Sequence, residues 1–457
     1  VLPTQIKKLL DRDGWTLCGN EAVHSGRRIT FFLRPSHDIA AIARSDRNTF
    51  RHIAVVIAQT NAEMERLRDP ANADKFPRAF FTSLEVGHAI ACRSGIATFD
   101  AEVLANTPVG GAAHYRLVFK APALRDLQPP QFFMMDARPV RTPLGARTVR
   151  PGPWHDAVDW TPQPLLKRPF GICRDFHPHF PADYLKRLAL PPSLSLALHL
   201  PAPDHFDMLY KVLPDGIGTP LMTHLKPGDR VHMLGPLGQP FDVRQLRAAG
   251  IEEVHVIGGG VGMAPLILLV EALRFYSIRV KVFLGIATLE SLRYRDELAA
   301  TFGERPRDAY VYVDDLLAAG VPARDIFLSF DRAVPRRVRG IPKGNLFHGL
   351  VPEQYRNILA TSSGNLMAFT CGPNRMMEVM TGICRRAGVP LKVLLEKRMG
   401  CGLGVCFSCV QKVRRPDGTE DYARVCKEGP LFDAKDIVWN NHDSKQPSVT
   451  CGCAPRC

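Results

Sequence analysis

"VHVIGGGVGMAP" (254–265) is an apolar run that breaks into three consecutive glycines and resumes through a proline. The pattern reads as a strand, a glycine loop and a helix opening near Pro265, whose fixed φ and missing N–H suit a first helical turn. Glycines at such a junction let backbone N–H groups approach a pyrophosphate at the positive end of the helix. Met263 stands where the dinucleotide fingerprint GxGxxG would place its last glycine, so a merely structural tight turn is the plainer alternative. Gly258, Gly259, Gly260, Gly262 and Pro265 are the candidate cofactor-binding positions here.

Working outward, strands and helices alternate from about 251. "EVHVIGG" leads into "APLILLVEALRFYS", and "RVKVFLGIA" into "LESLRYRDELAATFG". "AYVYVDD" (309–315) reads as a further strand, and "NLMAFTCGP" leads into "NRMMEVMTGICRRAG". That alternation predicts an open, mainly parallel α/β sheet over 249–390. In "FTCGPNRMM" (369–377) a strand ends in Cys371, Gly372 and Pro373, and a helix follows at once. Small residues at a parallel strand's carboxyl end leave room for a flat ring in the crevice where such sheets bind ligands. An isolated cysteine is by default a small buried hydrophobe. With the glycine loop beside it, the expectation is a nicotinamide dinucleotide, NADH or NADPH. "GIATLES" (285–291) has no arginine just after its strand to hold a 2′-phosphate, which leans toward NADH, although Arg293 and Arg295 lie close by.

Upstream, over 101–248, short alternating runs are separated by Pro and Gly. They are "HYRLVFKAP" (114–122), "PPQFFMM" (129–135), "LLKRPFGIC" (165–173), "LSLALHL" (194–200), "FDMLYKVL" (206–213) and "DRVHMLGPLG" (229–238), with a Pro/Gly/Arg-rich loop at 138–163. Their spacing predicts a small antiparallel β-barrel. "KRPFGI" (167–172) sets an arginine, a proline and an aromatic on a strand edge, and "PDGIGT" (214–219) puts two glycines and a threonine before a short helix, "TPLMTHL". Arginine pairs with phosphate, an aromatic stacks on a flat ring, and glycine amides face a pyrophosphate. Each is common turn chemistry alone; in this order they point to a flavin. Residues 1–100 carry a possible helix (4–11), a strand "RITFFL" (28–33) and a strand passing into a charged helix (52–69). No motif appears there, so this accessory α/β segment has no assigned role.

Downstream, "CGLGVCFSC" (401–409) spaces Cys401, Cys406 and Cys409 by four and two residues, and Cys426 follows after sixteen intervening residues. C-x4-C-x2-C…C is the plant-type arrangement for a 2Fe–2S cluster. Gly400, Gly402, Gly404 and Ser408 let the loop wrap and turn N–H groups toward sulfur. Structural zinc favours two paired C-x2-C hairpins, and the fourth cysteine here has no such partner. The cluster lobe is set at 391–440. The tail 441–457 ends "CGCAPRC", whose Cys451, Cys453 and Cys457 read as surface thiols or as part of a metal site completed by another chain.

Of twelve cysteines in 457 residues, five (Cys18, Cys92, Cys173, Cys371, Cys384) are scattered and the rest crowd 401–457, a distribution that favours metal over disulfides. The chain is long enough for several domains. It lacks an apolar stretch of membrane-spanning length, and the first residues lack a signal-peptide layout, so a cytoplasmic protein is expected. The formal charge of +14 is spread along the chain with little aromatic interleaving, which argues against nucleic acid. One dense run, "RAVPRRVRGIPKG" (332–344), is either a solvated loop or a docking patch for an acidic partner or a cofactor phosphate.

Together "RPFGI", "LYKVLPDGIGT", "LKPGDRVHMLGPLG", "GGGVGMAP", "CGP", "EKRMGCGLGVCFSC" and "RVCKEGPLF" resemble the ferredoxin–NADP reductase superfamily over roughly 101–440. Within it the likeness is to the iron–sulfur branch, namely the electron-transfer subunit of class 1B dihydroorotate dehydrogenase and related sulfhydrogenase and transhydrogenase subunits. The resemblance implies an FAD barrel, an NAD(P)H domain and a 2Fe–2S lobe in that order, in an NAD(P)H-dependent oxidoreductase. It implies that Arg168 contacts the FAD phosphate, that Pro169, Phe170, Gly171 and Tyr210 border the flavin, and that Gly216, Gly218 and Thr219 hold its pyrophosphate. Gly258 to Gly262 would face the dinucleotide, with Cys371 and Gly372 beside its nicotinamide and Cys401, Cys406, Cys409 and Cys426 on the irons. A partner redox subunit, a dehydrogenase, hydrogenase or similar, would complete a hetero-oligomer. The alternative is a non-catalytic relay or scaffold whose nicotinamide site no longer works. Gly171 replaces the Ser or Thr usual in the family, and the basic run 332–344 replaces an acidic Asp-Gly-Ser segment.

Overall fold

A computed structural model describes residues 96–140, 166–176, 205–293 and 310–439, with breaks at 110–113, 122–126, 215, 277 and 363, plus scattered positions in the first 83 residues. Those early positions include β1 (Thr16–Cys18), β2 (Glu21–His24), β3 (Arg27–Phe32), β4 (His52–Ala58) and β5 (Phe80–Ser83), a five-stranded sheet in chain order. β1 to β3 pair antiparallel, and β3 to β5 pair parallel. Both expected strands are there; of the helix expected at 4–11 only Leu10 is described, helical and buried, and the helix expected after β4 lies outside the described residues, as do 141–165, "LSLALHL" and the cysteine tail.

The barrel is built from β6 (Ala97–Val109), β7 (His114–Lys120), β8 (Phe132–Met135), β9 (Arg168–Gly171), β10 (Arg174–Phe176), β11 (His205–Lys211) and β12 (Arg230–Leu237). They pair antiparallel in the order β10-β11-β7-β6-β12-β8-β9. The sheet curls until Phe170 of β9 meets Tyr210 of β11 edge-on, with ring centroids 6.4 Å apart, and the barrel is nearly closed. Phe119, Phe133 and Phe206 fill it, with the Phe206 ring centroid 5.1 Å from that of Phe119 and 5.3 Å from that of Phe133. α1 (Gly218–Met222) lies between β11 and β12, and α2 (Arg244–Ala248) leads out of the barrel.

The α/β sheet takes β13 (Glu253–Gly259), β14 (Arg279–Ile286), β15 (Ile326–Phe330), β16 (Leu346–His348), β17 (Leu366–Cys371) and β18 (Leu391–Leu394), in parallel, with helices α3 (Ala264–Phe275), α4 (Val313–Ala318), α5 (Val351–Leu359) and α6 (Asn374–Arg386). β13 is buried through its first six residues, as a parallel strand covered on both faces must be. α6 buries Met377, Met380, Ile383 and Cys384, one apolar stripe at helical spacing. A hairpin, β19 (Val410–Arg414) with β20 (Glu420–Arg424), follows the cysteine loop. β21 (Leu431–Asp433) then joins the edge of the large sheet antiparallel to β18.

One sequence expectation fails. "AYVYVDD" is not a strand: Tyr310 makes only an isolated bridge to Arg293, and Val313 begins α4. The carboxylates of Asp314 and Asp315 accept the backbone N–H groups of Tyr310 (2.5 Å) and Tyr312 (3.1 Å), and this capping outweighs the Val-Tyr-Val alternation. The next strand of the sheet is β15, "IFLSF", every residue of which is buried. "LESLRYRDELAATFG" opens as a 3-10 turn over Leu289–Leu292, and its remainder beyond 293 lies outside the described residues.

A buried ionic cluster joins barrel and sheet. Arg116 of β7 donates to Asp207 of β11 (2.5 Å) and to Asp315 of α4 (3.2 Å), and Arg174 of β10 donates to Glu271 of α3 (3.0 Å) and to Asp315 (3.3 Å). Among the described residues no helix is long and apolar enough to cross a membrane.

Candidate functional site

β13 pairs parallel with both β14 and β17, so its carboxyl end is the point where the sheet's connections change direction. The glycine loop sits there. Gly258 pairs with Cys371, and a Cβ added at Gly262 would lie 2.7 Å from the Cys371 carbonyl. A Cβ on Gly259 would meet Met376 Sδ at 2.7 Å and Pro373 at 3.0 Å. Gly260 differs: its φ is +56°, and a Cβ there would meet open space. The two motifs, more than a hundred residues apart, thus form one surface, and α3 starts just behind it with Pro265 in its first turn.

Cys371 is fully buried and its thiol faces Glu396, with Sγ 3.9 Å from Oε1. Burial pushes both the Cys371 thiol and the Glu396 carboxyl above their usual ranges. Glu396 nonetheless keeps an exposed surface, which places it in the wall of a crevice. Glu396 opens the stretch "EKRMGCGLGVCFSC", and nothing in that local sequence marks the thiol it meets, 25 positions upstream.

The barrel edge faces the same crevice. Arg168, Pro169, Phe170 and Gly171 are all half-buried along β9. Arg168 lies over the start of α1, with its Nε 3.2 Å from where a Cβ on Gly218 would stand, and burial lowers its pKa. Thr219 Oγ1 accepts the Leu213 N–H at 2.9 Å and keeps its own O–H for another acceptor. The Gly216 N–H donates to the Leu213 carbonyl (2.9 Å) and shapes the turn. Tyr210 is buried, its hydroxyl donates to Asn106 Oδ1 (3.1 Å), and its ring stacks on Tyr115, so it backs Phe170 from inside the barrel. Gly171 has a packing reason: a Cβ there would stand 2.7 Å from Pro265 Cβ. A side chain at 171 is excluded by contact with the helix that follows the glycine loop.

In the cysteine loop the backbone already points at sulfur. N–H groups of Leu403 (3.3 Å), Val405 (3.3 Å) and Cys406 (3.5 Å) donate to Cys401 Sγ. Gly402 (φ +72°), Gly404 (φ +80°) and Phe407 (φ +55°) take left-handed conformations that make this wrap possible. Ser408 Oγ bridges Cys406 Sγ (3.1 Å) and the Gly400 N–H (2.9 Å). That hydrogen bond, with neighbouring N–H groups, lowers the Cys406 thiol to about 6. Cys409 and Cys426 are buried, and burial, reinforced by Cys409, raises Cys426 to about 12. Four cysteines with N–H donors to sulfur are the donor set an iron–sulfur cluster uses. Among the described residues no three His, Cys, Asp or Glu side chains gather as a mononuclear site, and a 2Fe–2S rhomb asks for two thiolates at each of two irons. The exposed edge carries Leu403, Val405 and Phe407, with Tyr422 nearby and Arg424 over the Phe407 ring at 5.1 Å.

The cysteine loop rests on the barrel. A Cβ on Gly402 would stand 2.6 Å from Met134 of β8 and 2.9 Å from Leu237 of β12. Met134 is the register partner of Pro169, so the loop abuts the strand next to Arg168–Gly171.

A curled antiparallel barrel, a parallel sheet with a glycine loop at its switch point and a four-cysteine lobe define an iron–sulfur electron-transfer oxidoreductase. Residues 396–438 match the iron-sulfur cluster binding domain of dihydroorotate dehydrogenase B. The dihydroorotate dehydrogenase B (NAD(+)) electron transfer subunit of Desulforamulus reducens is 30% identical over 342 residues, covering 75% of this chain and 98% of its own length. That of Geobacillus thermodenitrificans is 30% identical over 302 residues, covering 65% and 89%. The chain belongs to the family of dihydroorotate dehydrogenase B electron transfer subunits. A solved NADH-dependent reduced ferredoxin-NADP oxidoreductase aligns over 74% of this chain and 90% of its own, with a TM-score of 0.48 and 19% identity.

Proposed function

We propose that the chain carries electrons between a nicotinamide dinucleotide and a catalytic redox subunit, through FAD at the barrel edge and a 2Fe–2S cluster in the cysteine lobe. The observation that carries this reading is the seating of Gly402 on Met134, directly across from Pro169. Adjacent strands lie about 5 Å apart, so the cluster loop and the flavin-facing strand share one wall. FAD, when bound, converts the two-electron hydride of a nicotinamide into the single electrons that an iron–sulfur cluster accepts.

The chain's own residues bind, orient and shield. Arg168 pairs with the FAD phosphate, and the Thr219 hydroxyl with the Gly218 amide faces its pyrophosphate, while Gly216 shapes the turn that brings them there. Phe170 lies along the ring system, braced by Tyr210, and Gly171 offers only backbone. Gly258, Gly259, Gly260 and Gly262 take the dinucleotide pyrophosphate at the start of α3, where Pro265 spares an N–H. Cys371, Gly372 and Pro373 flank the nicotinamide, and Cys401, Cys406, Cys409 and Cys426 hold the irons. The apolar rim of Leu403, Val405 and Phe407 surrounds the open side of the cysteine loop and suits a partner subunit arriving there. We place the complex in the cytoplasm.

Anaerobic mixing of the flavin- and iron-loaded chain with NADH or NADPH tests this. Bleaching of the flavin followed by a rhombic paramagnetic signal is expected. A flavin that stays oxidised with both nicotinamides would leave the chain a relay or scaffold with an inactive nicotinamide site.

A further inference from the structure

The basic run after β15 has no task in that reading. Arg332, Arg336, Arg337 and Arg339 are all exposed. Its place in the sheet is fixed: Phe330 pairs with Ile286, and the Asp331 N–H donates to the Ile286 carbonyl at 3.1 Å. The run therefore leaves the carboxyl edge of the sheet immediately beside the end of β14. It is also held in shape, because Val338 and Ile341 bridge (N–H···O 3.1 Å) with both side chains buried, and Arg339 pairs with Asp314 of α4 at 3.3 Å. Among the described residues, the guanidinium groups of Arg332, Arg336 and Arg337 meet no carboxylate.

A dinucleotide whose pyrophosphate sits at the β13 loop lays its adenosine ribose across the end of the neighbouring strand. Selectivity for an unphosphorylated ribose is enforced there by a carboxylate, which accepts the 2′-hydroxyl and repels a 2′-phosphate. β14 ends Gly285-Ile286 and continues Ala287-Thr288 without an acid, and Glu290 beyond it is paired with Arg293 at 3.6 Å; the carboxylate at this corner is Asp331, which directly precedes Arg332. The arginine missing after β14 has a counterpart in Arg332, the residue that follows the one held at the Ile286 carbonyl. Guanidinium groups bind a phosphate dianion through paired, charge-assisted hydrogen bonds.

We infer that Arg332, Arg336 and Arg337 form a 2′-phosphate site, so that this chain selects NADP(H) over NAD(H), unlike relatives whose names specify NAD(+). This inference rests on the dinucleotide reading of the glycine loop.

The test is calorimetric titration of the cofactor-loaded full chain with NADP+ and with NAD+, repeated on Arg336→Ser/Arg337→Ser and on Arg332→Ser. NADP+ should bind at least about tenfold more tightly than NAD+, and the double variant should lose about that factor for NADP+ while NAD+ moves less than about twofold. The preference should shrink as salt rises. Equal binding of both coenzymes, or a ratio indifferent to the substitutions, overturns the inference and leaves the dinucleotide reading intact. Binding of neither sinks that reading first. Loss of partner-subunit binding in the variants with an unchanged coenzyme ratio also overturns it and assigns the run to docking.

Discussion

The barrel has two joints, and they are built from opposite materials. Against the α/β sheet it presents Arg116, Arg174 and Asp207, fully or almost fully buried, which meet Glu271 and Asp315. Three carboxylates face two guanidinium groups, and burial pushes the Asp207 carboxyl above its usual range despite Arg116. Against the cysteine lobe it presents Met134, Leu237 and Gly238, which meet Gly402 and Pro430 with no ion pair between them; Gln239 adds hydrogen bonds to the carbonyls of Lys427 (2.9 Å) and Gly429 (2.7 Å). Buried ions contribute little net stability against well-packed apolar residues, yet losing one partner strands the others. That joint therefore fixes orientation. The glycine joint fixes distance, because an added Cβ would have to displace Met134 and Leu237 or lift the cysteine loop.

Breaking the ionic joint should give the largest effect. Asp315→Ala leaves Arg116 and Arg174 short of a shared partner and should cost about 3–5 kcal/mol in guanidinium denaturation. A loss under about 1 kcal/mol would show that the cluster does not hold the two domains. Gly402→Ala adds a Cβ at 2.6 Å from Met134 on a residue with φ +72°, and should cost about 1–3 kcal/mol and lower the iron retained after desalting. Wild-type iron content with an unchanged unfolding midpoint would mean that the loop does not need its close seat. The smallest effect belongs to a site away from both joints. His255 is buried between Glu253 (2.8 Å) and the Tyr355 hydroxyl (3.3 Å), near Lys281, and burial lowers its pKa. A lowered pKa stabilises the fold above the unfolded value near 6.5, a contribution lost as pH falls through the folded value. His255→Asn should flatten the decline in stability below that pH; an unaltered slope would show that this histidine does not set it.

Much of the site was legible because its parts are local. The glycine loop, the Cys-Gly-Pro strand end and the first three cysteines each lie within about a dozen residues and carry their own backbone demands. Their meeting followed from sheet topology, and Gly262 against Cys371 shows it. The ionic cluster was illegible for the opposite reason: residues 116, 174, 207, 271 and 315 are ordinary charges until folding brings them together. α4 reads as a strand because its Val-Tyr-Val alternation masks two capping aspartates, and β15 has only five residues and no flanking motif. Gly171 was visible as a departure from the family, but its cause, Pro265, was not.

β21 comes from the far side of the cysteine lobe and is stitched onto β18, the edge of the dinucleotide sheet. Chain leaving the sheet thus loops out through all four sulfurs and is sewn back in at β21, so the lobe is tethered at both ends. It cannot swing as an arm that ferries charge between distant stations. The current runs through fixed wiring, and the recipient has to come to the socket.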